Sequence, residues 1–166
     1  MVKWHITIFA SVVAFCASGT FAIAQDVLQE KNISLALASE AAMAAMQFCK
    51  QKNLVVSVAV VDRAGQLKAF LRADGAGPHT IDSSRRKAFT SASLRNNTSS
   101  ILDMVQKNPD AANLTLIDGF LILGGGVPIR VGDQVIGAIG VGGAPGGHLD
   151  EQCAEAGIEK IRDRLK

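Results

Sequence analysis

Twice along this chain an apolar, β-branched run is turned back on itself by a short polar turn, and nothing else in the sequence limits the possible folds so much. Leu54–Val61 is followed by Asp62-Arg63-Ala64-Gly65 and a returning run from Gln66 to Arg72. Val127–Val131 is followed by Gly132-Asp133 and a second returning run from Gln134 to Val141. Glycine in such turns supplies the positive φ that other residues resist, and a two-residue Gly-Asp link favours a tight hairpin. Hairpin partners pair antiparallel. Helical stretches surround both hairpins. Leu35–Lys50 is rich in Ala, Leu and Met, with Leu35, Ala38, Ala42, Met46 and Cys49 at helical spacing and Asn32 or Ser34 available to cap it. A second helix is predicted from about Thr80 to Arg95, a short one from Thr98 or Ser99 to Val105, and a closing one from Leu149 to Leu165. Residues 111–118 follow no clear period, and Phe120–Leu123 reads as a short extra strand. The order helix, hairpin, helices, hairpin, helix predicts an α/β (α+β) fold. Its antiparallel sheet of about five strands is flanked by helices, unlike a doubly wound parallel sheet.

The chain has 166 residues, of which 48% are hydrophobic and 19% charged, a balance that buries a core and excludes disorder. With 17 basic and 15 acidic side chains, no tyrosine and 5% aromatics, it lacks both the basic face and the stacking platforms of a nucleic-acid binder. Lys3, the uncharged apolar run Ile6–Ala17 and Ala22-Ile23-Ala24 have the order of a secretory signal peptide over residues 1–24. A single domain then occupies residues 25–166, in the periplasm or outside the cell, with no membrane span. The two cysteines left after cleavage, Cys49 and Cys153, either bond in that oxidising compartment or stay as buried free thiols; their apolar helical contexts favour thiols.

Eleven of the sixteen glycines lie between Gly119 and Gly147. Glycine weakens strands, so the cluster implies either close backbone packing or a ligand against the backbone. Gly124-Gly125-Gly126 lacks the Gly-Lys-Ser/Thr continuation of a P-loop, and Gly140-x-Gly142 leads from a hairpin instead of a βαβ unit. His79 with Asp82, and His148 with Asp150, fall too far short of three or four ligands for a dedicated zinc site. There is no Gly-x-Ser-x-Gly elbow, so acyl transfer by a serine nucleophile has no support.

An ordered set of short motifs is more specific. Val60-Val61-Asp62-x-x-Gly65-x-Leu67, Arg72-Ala73-Asp74-Gly75-Ala76, Ile81-Asp82-Ser83, Lys87-Ala88-Phe89-Thr90, Gly125-Gly126-Val127-Pro128-Ile129, Val135–Val141, Asp150 and Ala154-x-x-Gly157 together resemble the HbpS/GlcG/PduO C-terminal-like family, over about Ile33 to Ile161. The sequence departs from the family pattern at Ala73, where many members carry Met, and at Gly142, where many carry Ser. The resemblance implies a profilin-like fold and a homo-oligomer. For an exported member it implies haem as cofactor and partner, with a role in haem or iron handling or haem degradation. It also leaves open a binder or enzyme of a small hydroxy acid or diol, or an oligomeric regulatory module. Assembly agrees with the Ala- and Met-rich first helix, which offers more apolar surface than one core face uses.

If haem is bound, His79, following Pro78 at a helix entry, is the expected iron ligand, because imidazole is a strong donor to haem iron. His79, Ser83, Arg86, Lys87 and Thr90 fall at helical spacing. Arg86 and Lys87, with Arg72 from the strand end, are then expected at the propionates, and Thr90 as a weaker oxygen donor. His148 is the alternative ligand, and Met104 a more remote one.

Overall fold

The computed structural model describes Met1 and residues 27–166. The expected signal peptide, apart from Met1, falls outside the described residues. Helix α1 spans Leu35–Gln51 and is followed by the hairpin of β1 (Ser57–Asp62) and β2 (Leu67–Arg72). Helices α2 (His79–Leu94) and α3 (Thr98–Lys107) come next, then a 3-10 helix over Pro109–Leu116. The second hairpin, β3 (Gly126–Val131) and β4 (Gln134–Gly142), leads into α4 (Gly147–Ile161). The strands form one antiparallel sheet in the order β2-β1-β4-β3, so the two hairpins join through their β1 and β4 strands, with Ser57 opposite Gly142 and Asp62 opposite Gly137.

Alternation along the central strands explains the layers. Val58 and Val60 of β1 and Ile139 and Val141 of β4 face α1 and α4, which present Ala38, Ala41, Ala42, Ala45, Cys153 and Ala154 to them. Ala59, Val61 and Ala138 face the other way, toward Ala88 and Ala92 of α2. Ser34 caps α1, its hydroxyl accepting from the Leu37 N–H at 3.3 Å. Leu35, expected on the buried stripe, is 60% exposed at the first position of α1. The Asp62 carboxylate accepts the Ala64 and Gln66 N–H groups, both at 2.9 Å, and so folds the first hairpin turn.

The clustered glycines bring α2 onto the sheet. A Cβ on Gly140 would lie 2.1 Å from the Ser84 carbonyl oxygen, and one on Gly126 would lie 2.4 Å from that of Lys87. Both contacts are with helix backbone, which has no room to yield without moving α2.

Two expectations need correction. The sheet has four strands, because Phe120–Leu123 forms none. Its backbone groups go to α2 side chains instead of a ladder: Thr90 Oγ1 accepts the Leu121 N–H at 2.8 Å, and the Arg86 guanidinium donates to the Phe120 carbonyl. The cysteines are not free thiols. Cys49 of α1 and Cys153 of α4 are fully buried and joined by a disulfide, with their Cα atoms 5.5 Å apart. Each lies in an apolar helical stretch, as read from the sequence, but those stretches face each other across the α1–α4 contact.

Candidate functional site

Helices α2 and α4 both begin at the end of the sheet where β1 starts and β2 and β4 finish. The pairings there place Arg72, Ser57 and Gly142 side by side on adjacent strands. Thr80 fastens the start of α2 to this edge, donating to the Gly77 carbonyl at 2.6 Å while its oxygen lies 2.7 Å from the Ser57 hydroxyl. Arg72 reaches along the following loop and donates to the Ala76 carbonyl.

Two imidazoles stand here. His79 is the first residue of α2 and exposed; its ring lies over Gly77, where a Cβ would come within 2.8 Å of it. His148, at the second position of α4, is likewise exposed over Gly146.

The other residues expected on the His79 face do not share a surface with it. Lys87 is 2% exposed. Its ammonium meets the Asp150 carboxylate at 2.7 Å and donates to the Val141 carbonyl at 3.0 Å, so the charge expected at a propionate is committed to α4 and the end of β4. Asp150 in turn accepts the Ala144 N–H at 3.0 Å and holds the loop that enters α4. Burial pushes the Asp150 carboxyl above its ordinary value, against the pull of Lys87 and of the neighbouring backbone amides. Thr90 is fully buried, and its hydroxyl donates to the Arg86 carbonyl while accepting from Leu121. Arg86 is half-buried, held by the Phe120 carbonyl and 3.7 Å from Asp82. Met104 is 43% exposed on α3.

Beside the Arg72 loop lies a groove of about 410 Å³, of which the sequence motifs mark only the Arg72-Ala73-Asp74 side. Met43 and Met46 of α1 line it with Val55 and Leu71, and Lys50 and Arg72 add two cations. Ala73 and Asp74 complete its loop side. The spacing of Met43, Met46 and Lys50 is that of one helix face, the signal that marks the α1 wall of the groove in the sequence. The sequence reading also missed Asp150 as the partner of Lys87, since 63 residues separate them. It missed Glu151 as well, whose carboxylate accepts from Asn97 at 2.6 Å and Ser99 at 3.0 Å and ties α4 to the start of α3.

Among the described residues no group of three or more His, Cys, Asp or Glu side chains is placed to hold a metal ion. A metal carried in an organic ring needs fewer protein donors. An apolar slot, nearby cations and an exposed imidazole at the end of the bordering loop fit haem by the chemistry of the donor set.

Fold and site together define a small antiparallel α/β domain of profilin-like build, helices on both faces, with its polar chemistry gathered where two helices begin. The chain belongs to the HbpS-like family: the family model described as haem degrading protein HbpS-like matches residues 33–159. A double mutant of HbpS from Streptomyces reticuli superposes with a TM-score of 0.78 at 40% identity, over 86% of this chain and 96% of that one. Protein GlcG of Escherichia coli K12 is 36% identical over 110 residues, 66% of this chain and 80% of GlcG. A complex of PduOC with haem shares the fold, with a TM-score of 0.70 at 23% identity over 78% of this chain and 95% of PduOC.

Proposed function

We propose that this protein is an exported haem-binding protein that takes part in haem or iron handling. The observation that carries the reading is the Met- and Leu-walled groove with Lys50 and Arg72, bordered by the loop that ends at His79, in a chain of the HbpS-like family. His79 holds the iron, Arg72 and Lys50 meet the propionates, and the apolar walls take the ring. Arg86, on the α2 face of the sheet and bonded to the Phe120 carbonyl, does not line this groove, and His148 is the alternative imidazole. Haem, once bound, supplies redox and ligand-exchange chemistry at its iron. The disulfide supports the export reading, because such bonds persist in oxidising compartments, and so does the leader-like segment 1–24. Among the described residues no helix is long and apolar enough to cross a membrane.

Titration of the processed protein with haem, followed at the Soret band, tests the reading. Saturable uptake is expected, with a shifted band and weaker affinity in His79→Ala. An unchanged band and affinity in His79→Ala, with loss only in His148→Ala, moves the iron to the start of α4. Absence of any saturable shift in the parent overturns the haem reading and favours a small organic acid or diol as ligand.

Assembly into a homo-oligomer is part of the same proposal. Leu116 at 77% exposed, Leu67 at 49% and Ile117 at 46% are apolar surface that a second copy would cover. Light scattering at micromolar concentration is expected to give a multiple of the monomer mass, and a monomer mass would refute it.

A further inference from the structure

We infer that the Met43 thioether is a second protein donor to haem iron in the α1 groove, an inference that rests on the haem reading above. The buried stripe of α1 is complete without Met43: Ala38, Ala41, Ala42, Ala45 and Cys49 are fully buried against the sheet and α4, and Met46 packs on that core. Met43 is 47% exposed and lines the groove, so the fold does not use it while the groove does. Methionine has three rotatable bonds and a polarisable sulfur, which lets it reach across an irregular slot. Thioether sulfur is an established axial donor to haem iron and raises the reduction potential.

Position along α1 supports the assignment. Lys50 lies seven residues beyond Met43, almost two full turns and about 10 Å along the axis, on the same side of the helix. That separation is on the scale of the path from the centre of a porphyrin to the end of a propionate. A ring with its iron beside Met43 therefore points a carboxylate toward Lys50, while Arg72 contributes a second cation from across the groove. No imidazole lines the groove itself; His79 stands beyond the loop that borders it. A nitrogen donor from His79 would have to come round the Arg72 loop, whereas the Met43 sulfur already lines the groove.

The test uses the haem-loaded, processed protein and the variants Met43→Leu and Met46→Leu. Leucine keeps the apolar volume and removes only the sulfur. Met43→Leu is expected to take up haem, to lose the thioether-to-iron charge-transfer band of the ferric complex and to show a lower reduction potential. Met46→Leu is expected to keep both. A parent complex without the band, or a Met43→Leu complex with band and potential unchanged, overturns the inference while the haem reading stands. A parent that takes up no haem overturns both. Thermal melts of the ligand-free variants separate a loss of donor from a loss of fold.

Discussion

Replacing Cys49 and Cys153 together by alanine, or reducing their bond, is expected to remove about 4–5 kcal/mol of folding stability. The two residues are 104 apart in sequence, so the bond closes nearly the whole domain into one loop, and loop-closure entropy makes long loops the most costly to free. Both sulfurs lie in the fully buried contact between α1 and α4, and truncation to alanine adds a small packing loss. In a domain of this size such a loss lowers the melting temperature by about 10 °C or more. Urea unfolding with and without reductant measures it directly. Superimposable curves would show that the bond does not constrain the unfolded chain. The same experiment states how far the fold depends on an oxidising compartment.

Breaking the Lys87–Asp150 pair is expected to be about as severe. Lys87→Met leaves a carboxylate, and Asp150→Asn an ammonium, each only 2–3% exposed and without its counter-charge. Removing one partner of a buried pair costs about 3–5 kcal/mol. The double variant Lys87→Met, Asp150→Leu is expected to cost clearly less than the sum of the single losses. It leaves no uncompensated charge and forfeits the acceptor of the Ala144 N–H and the donor to the Val141 carbonyl. Denaturation of all four proteins gives the coupling, and simple additivity would contradict the pairing. The pH dependence has a defined sign. Burial raises the Asp150 carboxyl above 3.8, so the folded chain holds this proton more tightly than the unfolded one. Its contribution to stability is therefore full below pH 3.8 and is lost as pH rises through the raised value. Relative to the parent, the double variant lacks this fall.

What was legible in the sequence was whatever depends on near neighbours. The β-branched runs and their turns placed both hairpins, and the Ala-rich period placed α1 within a residue of its observed end. The short strand expected at Phe120–Leu123 was lost because its hydrogen bonds go to Arg86 and Thr90, more than thirty residues away. Helical spacing puts His79, Lys87 and Thr90 along α2, but spacing cannot say which part of a helix meets solvent. His79 lies beyond the sheet and is open, whereas Lys87 and Thr90 lie over Gly126 and the 120 loop and are enclosed. The family-like motif therefore reports architecture first: Asp62 folds a turn, Gly126 and Gly140 admit α2, and Lys87 binds Asp150. The groove as a whole escaped notice because its walls come from α1, the segment before β1, and the end of β2 with its following loop, and no local pattern joins them.

The disulfide also decides what a cut in the chain can do. All four strands, α2, α3 and the 3-10 helix lie between Cys49 and Cys153, inside one covalent ring. The ring includes Pro109–Leu116, where no residue is buried and a protease finds accessible backbone. A single nick there opens the ring but releases nothing: the piece carrying α1, both strands of the first hairpin and α2 stays bonded to the piece carrying the second hairpin and α4. The nicked protein keeps its mass, shows two bands only after reduction, and retains both walls of the α1–α4 layer. The protein can thus be cut at an exposed segment and remain one molecule.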